Sequence, residues 1–214
     1  MTSTYLSTRQ AVIEVGQRLW KRGYVASNDG NISVKVSADL ILCTPTGVSK
    51  GFMTPDSLAL VHPDGTVVDR GTGGGPSSEI KMHLRVYQED PSVQAVVHAH
   101  PPISTAYAVL GEPLEANLLP EIALLMPRVP IAPYATPSTE QVPNSVAPLV
   151  ADHRVCLLEQ HGSLSWADSL EEAYLATERL EYYAQLLFNL HLLGRMRELT
   201  SEQVHALRVQ FGQV

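Results

Sequence analysis

An apolar run that ends in two histidines and two prolines constrains this chain more than any other feature. The run, "VQAVVHAHPP" (93–102), is rich in valine, and the two prolines stop it abruptly. It therefore predicts a buried strand. Because residues i and i+2 of a strand point to the same face, His98 and His100 should stand side by side where the strand ends. Such a pair either holds a shared ligand or simply packs.

A third histidine favours the ligand interpretation. His161, in "LLEQHGSLS" (157–165), follows a second apolar strand directly, and Gly162 beside it lets backbone approach closely. Three protein ligands with one open position are typical of catalytic zinc sites. We therefore expect a Zn²⁺ site at His98, His100 and His161, with Mn²⁺ or Co²⁺ as alternatives. The other histidines fit such a site less well, because they lie in a turn, on an expected exposed loop or on helices: His62, His153, His191 and His205.

A helix start lies in "GGPSSEIKMH" (74–83), and the helix is expected to run from Glu79 to Glu89. Free N–H groups at a helix start, together with the hydroxyls of Ser77 and Ser78, suit a phosphate group. Glu79 in the first turn either complements the helix dipole or acts as an acid–base group. His83, one turn later, either contacts Glu79 or packs.

Two glycine-containing turns offer further donors for phosphate oxygens. They are "SNDGNIS" (27–33) and "CTPTGVS" (43–49), in which Asn31, Thr46 and Gly47 present amide, hydroxyl and backbone donors. Taken alone, each stretch is also an ordinary turn between strands.

The rest of the chain predicts short strands interleaved with helices, a pattern typical of one layered α+β or mixed α/β domain. A Ser7–Gln10 capping box should open a first helix that Gly23 closes, and Asp168 with Glu171 should open a long helix ending near Leu193. The other expected elements are strands in 31–45, 129–134 and 155–160, a hairpin in 58–69, helices at 103–110 and 140–150, and a last helix opened by Thr200 and Gln203.

Composition excludes several classes of function. The chain has 214 residues, of which 44% are hydrophobic and 17% charged, which is ordinary for a globular protein. A net charge of −7 with scattered Lys and Arg predicts that neither nucleic acid nor a membrane is a partner. Cys43 and Cys156 lie in apolar runs and should be buried free thiols. Because the opening stretch also lacks the pattern of a signal peptide, we expect a cytoplasmic protein.

Five motifs in order, "GNIS", "TPTG", "PSSE", "HAHPP" and "QHG", resemble the class II aldolase/adducin family over residues 8–193. The resemblance implies a single domain over 1–214, a three-layer αβα sandwich around a largely antiparallel central sheet. It also implies a fourfold homotetramer with active sites between subunits, and a catalytic Zn²⁺ bound by His98, His100 and His161. Glu79 would be the acid–base group and also a zinc ligand before substrate arrives. The residues that would hold the substrate phosphate are Gly30, Asn31, Thr46, Gly47, Ser77 and Ser78.

The resemblance implies a metal-dependent aldehyde-lyase. We expect it to cleave a short (deoxy)ketose 1-phosphate, such as L-fuculose 1-phosphate, to dihydroxyacetone phosphate and an aldehyde. Glu79 favours an aldolase over the family's ribulose-phosphate 4-epimerases, which usually carry aspartate there. A dehydratase, a decarboxylase, an epimerase and a non-catalytic adducin-like module remain alternatives, although three histidines and Glu79 argue against the last. Fuculose-phosphate aldolases carry aromatic residues where this chain has Leu124, Pro137 and a tyrosine-free tail (208–214), which leaves the aldehyde open.

Overall fold

The computed structural model describes residues 5–212, and its centre is an eight-stranded sheet with strand order β4-β3-β2-β1-β5-β8-β7-β6. The strands are β1 (Asn31–Ser37), β2 (Leu40–Cys43), β3 (Ala59–Val61), β4 (Val67–Asp69), β5 (Ala95–Ala99), β6 (Ile131–Ala132), β7 (Val155–Leu158) and β8 (Gly162–Ala167). Only β6 and β7 run parallel; every other neighbouring pair in the sheet is antiparallel. The expected largely antiparallel sheet is confirmed.

Helices cover both faces of this sheet. They are α1 (Leu6–Lys21), α2 (Ile80–Glu89), α3 (Pro102–Leu110), α4 (Pro120–Leu125), α5 (Gln141–Val146), α6 (Leu170–Leu192) and α7 (Ser201–Gln210). We call the side of the sheet that α2 and α5 cover the first face, and these helices share one hydrophobic core with it. Helices α1, α3 and α6 pack on the opposite side, the second face. The mixed α/β, three-layer αβα prediction is therefore confirmed. None of the described helices is long and apolar enough to cross a membrane.

Strand β5 shows why the sheet places its histidines as it does. Val96 packs in the core of the first face and Val97 in the core of the second, and both are fully buried. Each buried valine contributes about 1.5–3 kcal/mol, and a slip of one residue would exchange the two faces. The alternation that buries the valines therefore also turns His98 toward the first face, where α2 lies.

The first helix begins differently from the prediction. Its N-cap is Tyr5, whose side chain makes no capping bond, so Ser7 lies inside the helix and the expected Ser7–Gln10 capping box is wrong. Tertiary contact accounts for the difference, because the buried guanidinium of Arg9 donates to the carbonyls of Pro55 and Leu58. The expected end at Gly23 is confirmed by its positive φ of 71° and its N–H bond to a carbonyl of the last turn.

The long helix α6 begins one residue later than predicted. Ser169, not Asp168, is its N-cap, and its hydroxyl accepts from the backbone N–H of Glu172. Glu171, the expected capping partner, pairs instead with Arg18 of α1 at 2.6 Å. The last helix has the predicted capping box of Thr200 and Gln203.

Other elements differ because tertiary contacts decide them. Strand β8 was not predicted, because its serines do not give the usual alternation of apolar and polar residues. The Ser163 and Ser165 hydroxyls are satisfied by backbone carbonyls. Leu164 and Trp166 pack in the core of the first face. Helix α4 was also not predicted, and only two residues of the expected strand at 129–134 pair. The expected helix at 140–150 ends early and continues as a 3₁₀ turn. The hairpin in 58–69 and the two buried free thiols are confirmed.

Candidate metal centre

Three strand ends bring the histidines together at one edge of the sheet. β1 and β8 both run antiparallel to β5, so they begin where β5 ends. Asn31, the first residue of β1, lies directly opposite His98. His161 occupies the tight turn between β7 and β8, in which its N–H donates to the carbonyl of Leu158. The sheet therefore gathers groups that are far apart in the sequence.

The three imidazoles form a compact cluster. One nitrogen from each of His98, His100 and His161 lies within 4.8 Å of the others, and the Nε2 atoms of His98 and His100 are 3.0 Å apart. The ring centroids are separated by 4.7–5.1 Å. Three converging imidazole nitrogens are a donor set that suits zinc and several other divalent transition metals.

Burial and hydrogen bonding hold His98 in the form that a metal requires. Its Nδ1 donates to the carbonyl of Ser163 at 2.8 Å, which leaves the Nε2 lone pair directed into the cluster. Burial lowers the pKa of His98 and of His100, so both imidazoles stay neutral at neutral pH. A second nitrogen anchored on a backbone carbonyl is the usual arrangement behind a metal-binding histidine.

Two glycines permit the close approach of these strand ends. A Cβ atom on Gly162 would lie 2.5 Å from the His100 ring and 2.7 Å from the carbonyl oxygen of Ala99. Gly30 has a φ of +72°, and a Cβ there would lie 2.8 Å from the carbonyl oxygen of His98. Neither position accommodates a side chain without moving a histidine.

Glu79 directs its carboxylate at the histidines. One oxygen accepts from the Asn31 side-chain amide at 2.8 Å and lies 3.5 Å from His98 Nε2, while the other lies 3.2 Å from His161 Nε2. Burial raises the pKa of Glu79, but the hydrogen bond from His161 and the nearby imidazoles outweigh burial and hold the pKa below its usual range. Glu79 is the N-cap residue of α2 rather than a first-turn residue, and its side chain makes no capping bond to the helix.

A pocket of about 260 Å³ opens beside this cluster. It contains every residue that the sequence singled out for the site except His98, which is fully buried. The lining consists of Asn28, Asp29, Gly30, Asn31, Pro45, Thr46, Gly47, Lys50, Ser77, Ser78, Glu79, His100, Pro137, Ser138 and His161.

Backbone pairing joins two of the predicted phosphate motifs. The N–H of Ser77 donates to the carbonyl of Thr44 at 3.1 Å, and the N–H of Thr46 donates to that of Gly75 at 3.0 Å. These bonds place the "TPTG" turn beside the serines that precede α2. Hydroxyl groups and a helix start therefore face the same pocket, as an anion site requires.

Several lining residues were not predicted individually. Asn28 and Asp29 belong to the quoted turn "SNDGNIS", although only Gly30 and Asn31 of that turn were expected at the site. Ser138 lies in a turn with no distinguishing pattern, whereas Lys50, three residues after the glycine of "TPTG", is a cation beside a predicted phosphate turn. Pro137 lines the pocket, whereas Leu124 is half-buried on α4 and does not.

Histidines outside the cluster do not contribute to the pocket. His83 is fully buried and its Nδ1 bonds to the Ser33 hydroxyl at 2.8 Å, so it packs beneath the site rather than contacting Glu79. Burial lowers the pKa of His83 to about 4. His153 is half-buried rather than exposed as expected, and His62, His191 and His205 are likewise absent from the pocket lining.

This fold and cluster define a class: a mixed α/β protein with a site suited to a divalent metal at one sheet edge. Residues 10–188 match the family described as Class II Aldolase and Adducin N-terminal domain, and the chain belongs to this family. The resemblance drawn from the five motifs is thereby confirmed.

Similar proteins within the family carry different names. The chain is 33% identical over 208 residues to a 3-oxo-tetronate 4-phosphate decarboxylase of Escherichia coli, covering 94% of this chain and 95% of the relative. It is 32% identical over 174 residues to an L-fuculose phosphate aldolase of Methanococcus maripaludis, covering 81% of this chain and 92% of the relative.

Solved structures agree with this placement. YgbL of Klebsiella pneumoniae superimposes with a TM-score of 0.87 at 31% identity, over 96% of this chain and 99% of that one. L-fuculose-1-phosphate aldolase of Thermus thermophilus superimposes with a TM-score of 0.77 at 31% identity, over 89% and 97%.

Proposed function

We propose that this chain is a metal-dependent lyase that acts on a short sugar phosphate and releases dihydroxyacetone phosphate. The bond that breaks joins the carbon next to the ketone to the carbon after it. The observation that carries the proposal is the cluster of three histidines and Glu79 opening onto a pocket of hydroxyl groups and glycine turns. An aldolase acting on a (deoxy)ketose 1-phosphate such as L-fuculose 1-phosphate is our first candidate.

His98, His100 and His161 would hold the metal, with Zn²⁺ preferred over Mn²⁺ and Co²⁺ because all three side-chain donors are imidazole nitrogens. Glu79 would complete the set before substrate arrives. When bound, such a metal is a Lewis acid that polarises a carbonyl oxygen and stabilises negative charge developing on it.

Glu79 would move the proton on the carbon beside the ketone. In the cleavage direction the protonated carboxyl group would give its proton to that carbon, and in the reverse direction the ionised carboxylate would take the proton back. The hydrogen bond from Asn31 fixes the direction of the carboxylate. The substrate phosphate would be held by Gly30, Asn31, Thr46, Gly47, Ser77 and Ser78. Anchoring the phosphate places the reacting carbons against Glu79 and lowers the entropic part of the barrier.

A decarboxylase is the second candidate, and a specific observation favours it. A 3-oxo-tetronate 4-phosphate carries a carboxylate on the carbon beside its ketone. Loss of CO₂ leaves the same three-carbon enediolate that a ketose 1-phosphate leaves when it loses an aldehyde. Both reactions therefore end in dihydroxyacetone phosphate, but only aldol cleavage also needs a group to take a proton from the departing hydroxyl. The described pocket contains no tyrosine for that task, since Leu124 lies outside the pocket and Pro137 lines it.

The co-product distinguishes the two candidates. Metal-loaded protein is incubated separately with L-fuculose 1-phosphate, 5-deoxyribulose 1-phosphate and 3-oxo-tetronate 4-phosphate, with chelator-treated protein as control. Dihydroxyacetone phosphate, aldehyde and CO₂ are each quantified. We expect aldehyde and dihydroxyacetone phosphate in equal amounts from a ketose phosphate. Release of CO₂ and dihydroxyacetone phosphate in equal amounts, with no aldehyde from either ketose phosphate, establishes the decarboxylase. No dihydroxyacetone phosphate from any substrate refutes the proposal.

We further propose that residues 1–214 act as one domain, in the cytoplasm, within a homotetramer whose sites lie between subunits. Large apolar side chains exposed on the described surface support assembly, among them Phe52, Leu110, Leu192 and Leu193. Light scattering should give four times the chain mass of 23.3 kDa. A fully active monomer would contradict this part of the proposal.

A further inference from the structure

Lys50 is a buried lysine at the wall of the pocket. Its residue is only 1% exposed, and it begins a 3₁₀ turn, Lys50–Phe52, that packs against α1. Its ammonium group donates to the carbonyl of Asn28 at 2.8 Å and to that of Val48 at 2.7 Å. Two of its three N–H groups are thus used within the described chain.

The two acceptors belong to the two glycine turns of the proposed phosphate site. Asn28 lies two residues before Gly30, and Val48 directly follows Gly47. One ammonium group therefore connects the turn that enters β1 to the turn that follows β2. Losing this connection would leave the two segments joined by the hydrogen bonds between Ile32 and Thr44, nearer the sheet.

Lys50 lacks a close counter-charge within the described part of the chain. No ion pair within 4.0 Å joins it to a carboxylate of residues 5–212. Burying a cation beside neutral acceptors costs free energy that a nearby anion offsets. Burial lowers the pKa of Lys50 to about 8, against the more distant charges of Asp29 and Glu79, so the side chain is mostly protonated at neutral pH.

The pocket offers no second cation of this kind. Among its described lining residues, Lys50 is the only lysine or arginine, while the donors at the proposed phosphate site are hydroxyl, amide and backbone groups. Apart from the proposed metal, a phosphate dianion in the pocket would meet the carboxylates of Asp29 and Glu79 with only the ammonium group of Lys50 to offset their charge.

We propose that Lys50 determines the selectivity of this site for phosphorylated substrates, by supplying the counter-charge for the phosphate dianion while holding the two turns around it. The inference rests on the proposed function, because it assumes that the phosphate lies among these turns. Lys50 is thus both a binding residue for the phosphate and a positioning residue for the turns.

Binding measurements on the metal-loaded protein test this role. Calorimetry compares dihydroxyacetone phosphate, dihydroxyacetone and inorganic phosphate as probes for the wild type, Lys50→Met, Lys50→Gln and Lys50→Arg. Lys50→Met removes both charge and donors, Lys50→Gln removes the charge but keeps N–H donors, and Lys50→Arg keeps both. Lys81→Met removes the same charge from an exposed position on α2 and serves as the matched control.

We expect the Kd for phosphorylated probes to depend on the positive charge at position 50. Lys50→Met and Lys50→Gln should raise the Kd for dihydroxyacetone phosphate about 10- to 100-fold and that for dihydroxyacetone by less than about twofold. Lys50→Arg should recover most of the loss, and Lys81→Met should change little. Circular dichroism and metal content check that each variant is folded and loaded.

The outcomes separate this inference from the function on which it rests. If the wild type does not prefer dihydroxyacetone phosphate over dihydroxyacetone, the phosphate site itself is wrong and the inference fails with it. If the wild type prefers it but Lys50→Gln binds both phosphate probes as the wild type does, the proposed function survives and the role of Lys50 is refuted. If Lys50→Met does not fold, the contrast between Lys50→Gln and Lys50→Arg still decides.

Discussion

Replacing Glu79 by glutamine isolates proton transfer from structure. In Glu79→Gln the amide oxygen can still accept from Asn31, which now bonds a carboxylate oxygen at 2.8 Å. The new amide N–H group would face His161 Nε2, 3.2 Å from the present carboxylate. Shape and most hydrogen bonding are therefore kept, while the ability to exchange a proton is lost.

The size of the effect separates two roles. If Glu79 only complemented the dipole of α2, its replacement would cost about 0.3–1 kcal/mol of stability and leave turnover intact. The absence of a capping bond from its side chain already argues against that role. As an acid–base group, Glu79 should be worth about 10²- to 10⁴-fold in kcat, or about 3–5 kcal/mol of barrier. KM should move little, because the phosphate contacts are untouched.

Steady-state release of dihydroxyacetone phosphate measures kcat and KM. Metal content and urea unfolding are recorded on the same samples. The paired control is Ser77→Ala with Ser78→Ala, which should raise KM far more than it lowers kcat. Metal should remain in Glu79→Gln, since all three histidines are present. If Glu79→Gln keeps more than about a tenth of the wild-type kcat, the acid–base role is wrong.

Two further predictions concern stability. Buried Glu181 of α6 accepts from the N–H groups of Ile103 and Ser104 at 2.9 and 2.8 Å; Glu181→Ala should lower the free energy of unfolding in urea by about 2–4 kcal/mol, and a loss below about 1 kcal/mol would contradict this. His83 has a pKa of about 4 when folded and about 6.5 when unfolded, so the unfolded chain binds more protons between these values and stability falls as pH drops through that window. His83→Gln should remove about 1 kcal/mol per pH unit from the slope near pH 5, measured by urea unfolding across pH, and an unchanged slope would refute the assignment.

The sequence of β5 predicts on which face of the sheet each of its side chains lies. Because Val96 and Val97 must each fill a core, the alternation alone turns His98 to the side opposite Val97. The pairing of His98 with Asn31 and the nearness of His161 depend on strand order, which local pattern does not reveal. The family resemblance supplied that information, whereas the spacing of the histidines could not.

The elements that the sequence misplaced are those decided by distant contacts. Arg9 anchors the first turn of α1 on carbonyls some fifty residues away, which no capping pattern indicates. Ser165 of β8 looks polar but is buried, because its hydroxyl bonds to Thr177 and to the carbonyl of Ala173. Lys50 illustrates the same limit at the site, since its role depends on two turns that meet only in the folded chain.

The central claim is that three histidines form a metal centre, and metal content tests it most directly. Elemental analysis of the purified wild type should find about one divalent metal ion per chain. His98→Ala, His100→Ala and His161→Ala should each lose most of it, because a site reduced to two imidazoles no longer binds the ion tightly. His62→Ala, a histidine outside the pocket, should retain the full amount. Undiminished metal in all three cluster variants would contradict the account.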